Sequence, residues 1–394
     1  MSKRKTTIGF VAIIDPVWLA GTKYLINLWR ALRTASTRQY EFVLLVSETV
    51  SPQEYNLLIP CVDRVVIYPP STKKSIPLLV INKIHKQFFH KLDTYLRDQG
   101  VDVMFSPLDS GARSIPRIHW LPDFQHLYYP EFFTLSQLAS RAKAYPSAAE
   151  KATIVVVSSN AAKSDLVKLL PTASDKIRVL SFASQLPQRV FDDDPVHTAD
   201  FYHLPARFFF LPNQFWKHKN HRVVLDALQI AHKTEPELTV VCTGATFDSR
   251  DPQYFDTLLA RVSALNLHRN LRILGRVPEE HLYQLMRRSL AILQPSLFEG
   301  WNTSVEEAKS LGKTVILSEI PVHREQSPPG ARYFRPDDAP ALAKIMIDVY
   351  ARGNPGPDPQ AEEQARHSML ERVCVFAQAF DAIVEQALHE NGRR

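Results

Sequence analysis

Glu299 and Glu307 stand on either side of the loop Gly300-Trp301-Asn302-Thr303, a spacing of residue types that could do chemistry. The loop opens a helical pattern, and the first amides of a helix have no intrahelical partner, so they favour an anion such as phosphate. A carboxylate beside a phosphate would be repelled by it. Glu299 and Glu307 are better matched to sugar hydroxyls, which donate hydrogen bonds without adding negative charge. Together they suggest a ligand in which a sugar is joined to a phosphate. The purely structural alternative is that a glutamate in a first helical turn is favoured by the helix dipole with no ligand present.

The elements that must position these groups are legible around them. Residues 291–294 are an apolar run ending in Pro295 and Ser296, as a buried strand would, and 304–311 carry the spacing of an amphipathic helix. Thr303 with Glu306, or Ser304 with Glu307, makes a capping box, and Gly312 ends the helix before the next apolar run, 314–317. In a strand-loop-helix-strand unit the loop lies at the carboxyl edge of a parallel sheet, where ligands bind. A second cluster, Gln214, Lys217, His218, Lys219 and His221, follows the apolar run 208–211 and opens the helix 223–233. Clustered cations there suit a diphosphate, whose charge Lys219 neutralises as it shifts to the leaving group. The alternative is a solvated basic turn. A third group, Asp123 and His126 with His119, crowds the end of the apolar run 115–120.

The run FEGWNTSVEEAKSLGKTVILSEIPVHRE resembles the E-x7-E segment of retaining glycosyltransferases of the GT-B fold, the large family four. The resemblance implies that Glu299 contacts donor-sugar hydroxyls, that Glu307 binds the nucleotide ribose, and that the backbone of Gly300, Trp301, Asn302 and Thr303 holds the diphosphate. It implies further donor contacts at Gly21, which keeps one glycine of a Gly-rich loop, and at Arg276 and Val277, in the loop that meets the base. Three departures stand out. Asn302 occupies a place where the family often has Gly; Gln214 stands where an Arg is expected, with Lys217 as a compensating cation; and Pro122 replaces the His of a His-Asp pair. Asp123 matches that Asp, which leaves His126 or His119 for the histidine role beside the donor sugar.

Composition sets the frame for these sites. A chain of 394 residues with 45% hydrophobic and 22% charged residues has the make-up of a globular protein with two cores. Apolar runs at 8–14, 42–46, 63–67, 103–105, 115–120 and 152–157 alternate with helical patterns, and the alternation resumes at 208–211. Such order implies parallel sheets covered on both faces. The expected architecture is therefore α/β, and by resemblance GT-B, with two Rossmann-like domains facing each other across a cleft. Its parts are an acceptor domain at 1–184, a linker at 185–205, a nucleotide-sugar domain at 206–369 and a tail helix at 370–394 that braces the first domain.

Charge and cysteine use limit the function classes. Cys61, Cys242 and Cys374 are too dispersed for a disulfide framework or metal site, which fits a reducing cytoplasm. Asp192-Asp193-Asp194 lies in the Pro-flanked linker and reads as solvated, so no metal is expected. No cofactor is expected either, the nucleoside diphosphate sugar being substrate. The net charge of +6 suits anionic nucleotide sugars, and no nucleic-acid module accompanies it. Residues 73–96 form a basic amphipathic pattern, which either lies on an anionic membrane or presents a solvated face. The expected activity is transfer of a sugar with retention to a glycan or lipid-linked hydroxyl in polysaccharide or glycolipid assembly. The rivals are a sugar-nucleotide epimerase of similar fold and a catalytically silent nucleotide-sugar-binding subunit.

Overall fold

The computed structural model of the protein describes residues 4–13, 19–68, 93–106 and 114–392. They group into two compact units, the first from Met1–Phe124, Leu135–Ala183 and Arg372–Arg394, the second from Gln125–Thr134 and Ser184–Glu371.

In the first unit, the apolar runs fold as β1 (Thr6–Val11), β2 (Tyr40–Ser47), β3 (Arg64–Tyr68), β4 (Val103–Ser106), β5 (Arg117–Leu121), β6 (Ile154–Val157) and β7 (Ile177–Val179). All pair in parallel, in the order β3-β2-β1-β4-β5-β6-β7. Parallel strands need crossovers, and the helices Leu19–Ala35, Leu135–Lys151 and Asn160–Leu169 supply three of them. Because helices cover such a sheet, strands like β6 are buried at every position instead of alternating. Ser159 caps Asn160–Leu169 by accepting from the Ala162 amide at 3.1 Å. Aromatic rings fill the interior: Tyr24 stacks on Trp120 at 3.9 Å and Phe10 meets Trp29 edge-on at 5.3 Å. The tail helix runs from Pro359 to Gly392, and its residues from Arg372 onward belong to this unit. Phe380 packs 5.8 Å from Phe105, and Asp381 accepts from Ser36 Oγ, the Thr37 amide and Tyr40 OH.

The second unit holds β8 (Phe209–Pro212), β9 (Val240–Thr243), β10 (Leu271–Ile273), β11 (Ile292–Gln294), β12 (Val315–Ser318) and β13 (Arg332–Phe334), in the order β10-β9-β8-β11-β12-β13. These strands too are parallel. Leu211, Val224, Leu228, Val240, Leu293, Ile316 and Met346 form its core, on which the helices His221–Ala231 and Ala339–Arg352 pack. Both sheets run outward in opposite directions from their first strand. The order therefore reverses between β1 and β4 in one unit and between β8 and β11 in the other, and such reversal points open a crevice at the carboxyl ends of the strands.

Three expectations need correction or bounding. The stretch 185–205 is not a bare linker: it holds the helices Arg189–Asp192 and Pro195–Phe201 and groups with the second unit. Asp194 caps the second of these by accepting from the Val196 amide, which is why the acidic triplet lies where it does. Strands β7 and β13, Ile177-Arg178-Val179 and Arg332-Tyr333-Phe334 at sheet edges, are not among the apolar runs that the sequence shows. Residues 73–92 of the basic amphipathic pattern lie outside the described residues. Among the described residues no helix is long and apolar enough to cross a membrane.

Candidate functional site

The reversal point of the second unit gathers the loops that follow β8, β11 and β12. The loop after β8 ends at Asn220, whose backbone adopts the left-handed conformation (φ 55°) and whose Nδ2 donates to Pro295 O and Pro336 O. An asparagine tolerates that conformation better than most residues. The Leu297 amide donates to His218 O at 2.8 Å, fastening the loop after β11 to the loop after β8. This brings Lys219 Nζ to 2.6 Å from Glu299 Oε1. The two side chains are 14% and 8% exposed, so the pair is largely withdrawn from water.

Asn302, the residue that replaces a family glycine, is the cap of the helix Thr303–Ser310, in place of the expected capping boxes. Its Oδ1 accepts from the Val305 amide at 3.2 Å. Its Nδ2 lies 3.2 Å from Glu299 Oε1, 3.0 Å from Gln294 Oε1 and 3.3 Å from His323 Nε2. Both hydrogen bonds to Glu299 thus end on Oε1, and Oε2 takes none among the described residues. Beyond the cap, the amides of Thr303 and Ser304 have no intrahelical acceptor and face the start of the helix.

Glu307 is 1% exposed, with Tyr283 OH at 3.5 Å from its Oε1. Its neighbour Glu306 is engaged by Lys309 Nζ and Gln326 Nε2 and holds the local structure together. Burial also changes the expected cationic cluster. His218 is driven well below its ordinary value and His221 to about 3, in each case mainly by burial and then by the charge of Lys219. Both rings are neutral at physiological pH, and His221 stacks on Phe215 at 4.4 Å. The positive charge therefore resides on Lys219 and Lys217. Lys217 lies 3.8 Å from Asp251 and 5.5 Å above the Phe132 ring, and is not part of the Lys219–Glu299 pair.

Gln214 has a different task from the arginine it replaces: its Oε1 accepts from the Ala245 amide and ties the loops after β8 and β9. Gly244 permits that approach. A Cβ there would lie 2.4 Å from Asn213 O, and its φ of +132° is one that side chains disfavour. Arg276 is exposed and Val277 half-buried in the loop after β10, whose Gly275 O accepts from the Gly244 amide.

The candidates from the first half divide between the units. Gly21 is buried in the first turns of Leu19–Ala35, and Asp123, 3.7 Å from Arg141, belongs to the first unit. His119 is wholly buried in β5 and lowered to about 3 by burial, so it is an interior residue and not the loop histidine sought. His126 groups with the second unit, in a segment that sequence reasoning did not single out as a whole. That segment, Gln125–Thr134, sets Tyr128 5.4 Å from Phe298 and Tyr129 OH 3.4 Å from Leu297 O, next to Glu299. Also missed were Gln294, Asn213, His323 and Gln326. The one available signal was a polar residue, Gln294, closing an otherwise apolar strand run. Among the described residues, no group of three or more His, Cys, Asp or Glu is placed to hold a metal ion.

With this geometry in view, residues 204–366 match the family model of glycosyl transferases group 1. Over 229 residues the chain is 26% identical to O-antigen chain mannosyltransferase RfbU of Salmonella typhimurium, a match that covers 58% of this chain and 59% of that relative. Two solved structures share its fold along nearly its whole length. Anabaena HepE, in complex with UDP and glucose, is 15% identical with a TM-score of 0.69, covering 96% of this chain and 99% of that one. WaaG, a glycosyltransferase involved in lipopolysaccharide biosynthesis, is 12% identical with a TM-score of 0.58, covering 94% and 95%. The fold is GT-B, with two Rossmann-like domains.

Proposed function

We propose that the protein is a glycosyltransferase that moves a sugar from a nucleoside diphosphate sugar to a hydroxyl of a glycan or lipid-linked acceptor, with retention and without a metal. The match of 204–366 to glycosyl transferases group 1 supports sugar transfer. The observation that carries the reading is the state of Glu299: Oε1 is held by Lys219 and Asn302 while Oε2 is left for a sugar hydroxyl, directly before the open amides of Thr303 and Ser304. Lys219 has three donors and spends one on Glu299, so two remain for diphosphate oxygens.

In this mechanism the bond from sugar to diphosphate loosens first and the sugar becomes oxocarbenium-like. Lys219 and the backbone of 300–303, apart from the Asn302 N–H that donates to Gln326, take up the departing negative charge, a preorganised form of electrostatic stabilisation. The acceptor hydroxyl enters on the same face and its proton passes to the leaving phosphate. Glu299 orients the sugar and is not the nucleophile, unlike the paired carboxylates of most glycoside hydrolases. A relative named as an O-antigen mannosyltransferase and a neighbour from lipopolysaccharide biosynthesis support polysaccharide or glycolipid assembly as the setting.

Thermal stabilisation by UDP, GDP, ADP and dTDP and their sugars tests the donor site, with the native chain set against Glu307→Gln. One nucleotide family should stabilise the native chain by about 2.7 kcal/mol at a hundred times its dissociation constant, and the variant should respond less. Binding of none refutes the donor site. With a donor identified, an inverted product would refute retention, loss of activity in EDTA would refute metal independence, and conversion of the donor without acceptor would favour an epimerase.

A further inference from the structure

We propose that the Asn302 side chain, held by the helix Pro321–Gln326 through His323 and Gln326, is the positioning group of Glu299 and fixes the plane of its carboxylate, hence the direction in which the second oxygen is offered to the donor sugar. This rests on the donor-site reading above and concerns a side chain that stands where the resembled family often has Gly.

The orientation of the Asn302 carboxamide is determined from both ends. Its oxygen meets a donor, the Val305 amide, and its nitrogen, with two N–H bonds, faces three acceptors, on Glu299, Gln294 and His323, so that one hydrogen is shared between two of them. Turning the amide over would oppose like groups at all four contacts. Gln294 is itself fixed as an acceptor, because Asn213 Nδ2 donates to the same Oε1 at 3.0 Å. His323 must be an acceptor at Nε2 as well, since its Nδ1 donates to Ser318 O at 2.9 Å. Burial pushes this imidazole down to about 4, so the neutral form that accepts is the one present at neutral pH. Gln326 then clamps the Asn302 backbone on both sides, accepting from its N–H at 3.3 Å and donating to its carbonyl at 2.9 Å.

Every member of this network is nearly or wholly withdrawn from solvent: Asn302 is 2% exposed, His323 and Gln294 0%, and Gln326 3%. A buried amide with all its partners in place holds its rotamer. Lys219 alone, at the end of a flexible side chain, could move with the carboxylate as its plane turned. Asn302, anchored to a helix and a strand end, removes that freedom.

Asn302→Ser separates positioning from folding, because serine caps a helix about as well as asparagine but lacks the Nδ2 donor. The readout is the sugar increment: the ratio of dissociation constants of UDP to UDP-glucose, and of GDP to GDP-mannose, by calorimetry. Asn302→Ser should lose about tenfold of that increment, the scale of one hydrogen bond to a charged group, whatever the change in affinity for the nucleotide itself, which the ratio cancels. His323→Phe should lose it too, and His323→Gln, which retains an acceptor, should restore most of it. An unchanged increment in Asn302→Ser overturns the proposal. If no nucleotide sugar binds the native chain, the donor reading fails on its own account. The positioning claim is then decided by a crystal structure of unliganded Asn302→Ser, in which a Glu299 carboxylate still in its native place overturns it and a displaced one supports it.

Discussion

Replacing Lys219 by methionine keeps the side chain as far as its fourth atom and removes the charged nitrogen that faces Glu299. The result should be governed by burial. Exposed ion pairs contribute about 0.2–1 kcal/mol, whereas removing one partner of a buried pair costs about 3–5 kcal/mol because the other charge is left uncompensated. At 14% and 8% exposure, Lys219 and Glu299 lie near the buried end, and Asn302 Nδ2 remains to carry part of the load. A loss of about 3 kcal/mol follows. For a unit of roughly 200 residues this is about 6–12 °C in the melting temperature. Glu299→Gln keeps an acceptor at the same place, so it should cost less, and the double variant should recover much of the Lys219→Met loss. Urea unfolding of the four proteins closes the cycle. A Lys219→Met loss below about 1 kcal/mol, or a coupling energy of zero, would refute the claim that this pair is buried and interdependent.

The other expectations are independent of that cycle. Gly244→Ala should cost about 2–3 kcal/mol, since its Cβ would lie 2.4 Å from Asn213 O at a φ of +132°; an unchanged urea midpoint would contradict the close approach. Stability should fall with acidity between pH 6.5 and 4. Burial lowers His323 to about 4 and His119 and His221 to about 3, so the unfolded chain takes up their protons first. The stability they contribute is present above pH 6.5 and lost as the pH falls. His323 alone accounts for about 3 kcal/mol of that, and urea midpoints that stay level from pH 7.5 to 4.5 would oppose it. Asp381→Ala removes the acceptor shared by Ser36, Thr37 and Tyr40 and should cost about 3 kcal/mol. Limited proteolysis should then cut the tail helix within 372–392 earlier than in the native chain.

The sequence by itself determined most of the strands and their order, though not β7 or β13, because buried parallel strands read as short apolar runs between turn signals and need no tertiary context to be seen. It also put Glu299 and Lys219 at strand ends and the start of the helix within a residue of Thr303, although it named Thr303 or Ser304 as the cap where the structure has Asn302. What a residue does beyond its own turn was decided by contacts between distant segments. That His218 and His221 are neutral follows from burial, which spacing does not encode. Lys217 turns to Asp251, Gln214 to Ala245, and Gln125–Thr134 joins the second unit, each by meeting residues far away in the chain. The place of Asn302 shows the division most clearly. The sequence marks it only as a departure from glycine, whereas the fold brings Gln294, Glu299 and His323 to one amide nitrogen, and a side chain's hydrogen-bonding role is set by the partners that arrive there.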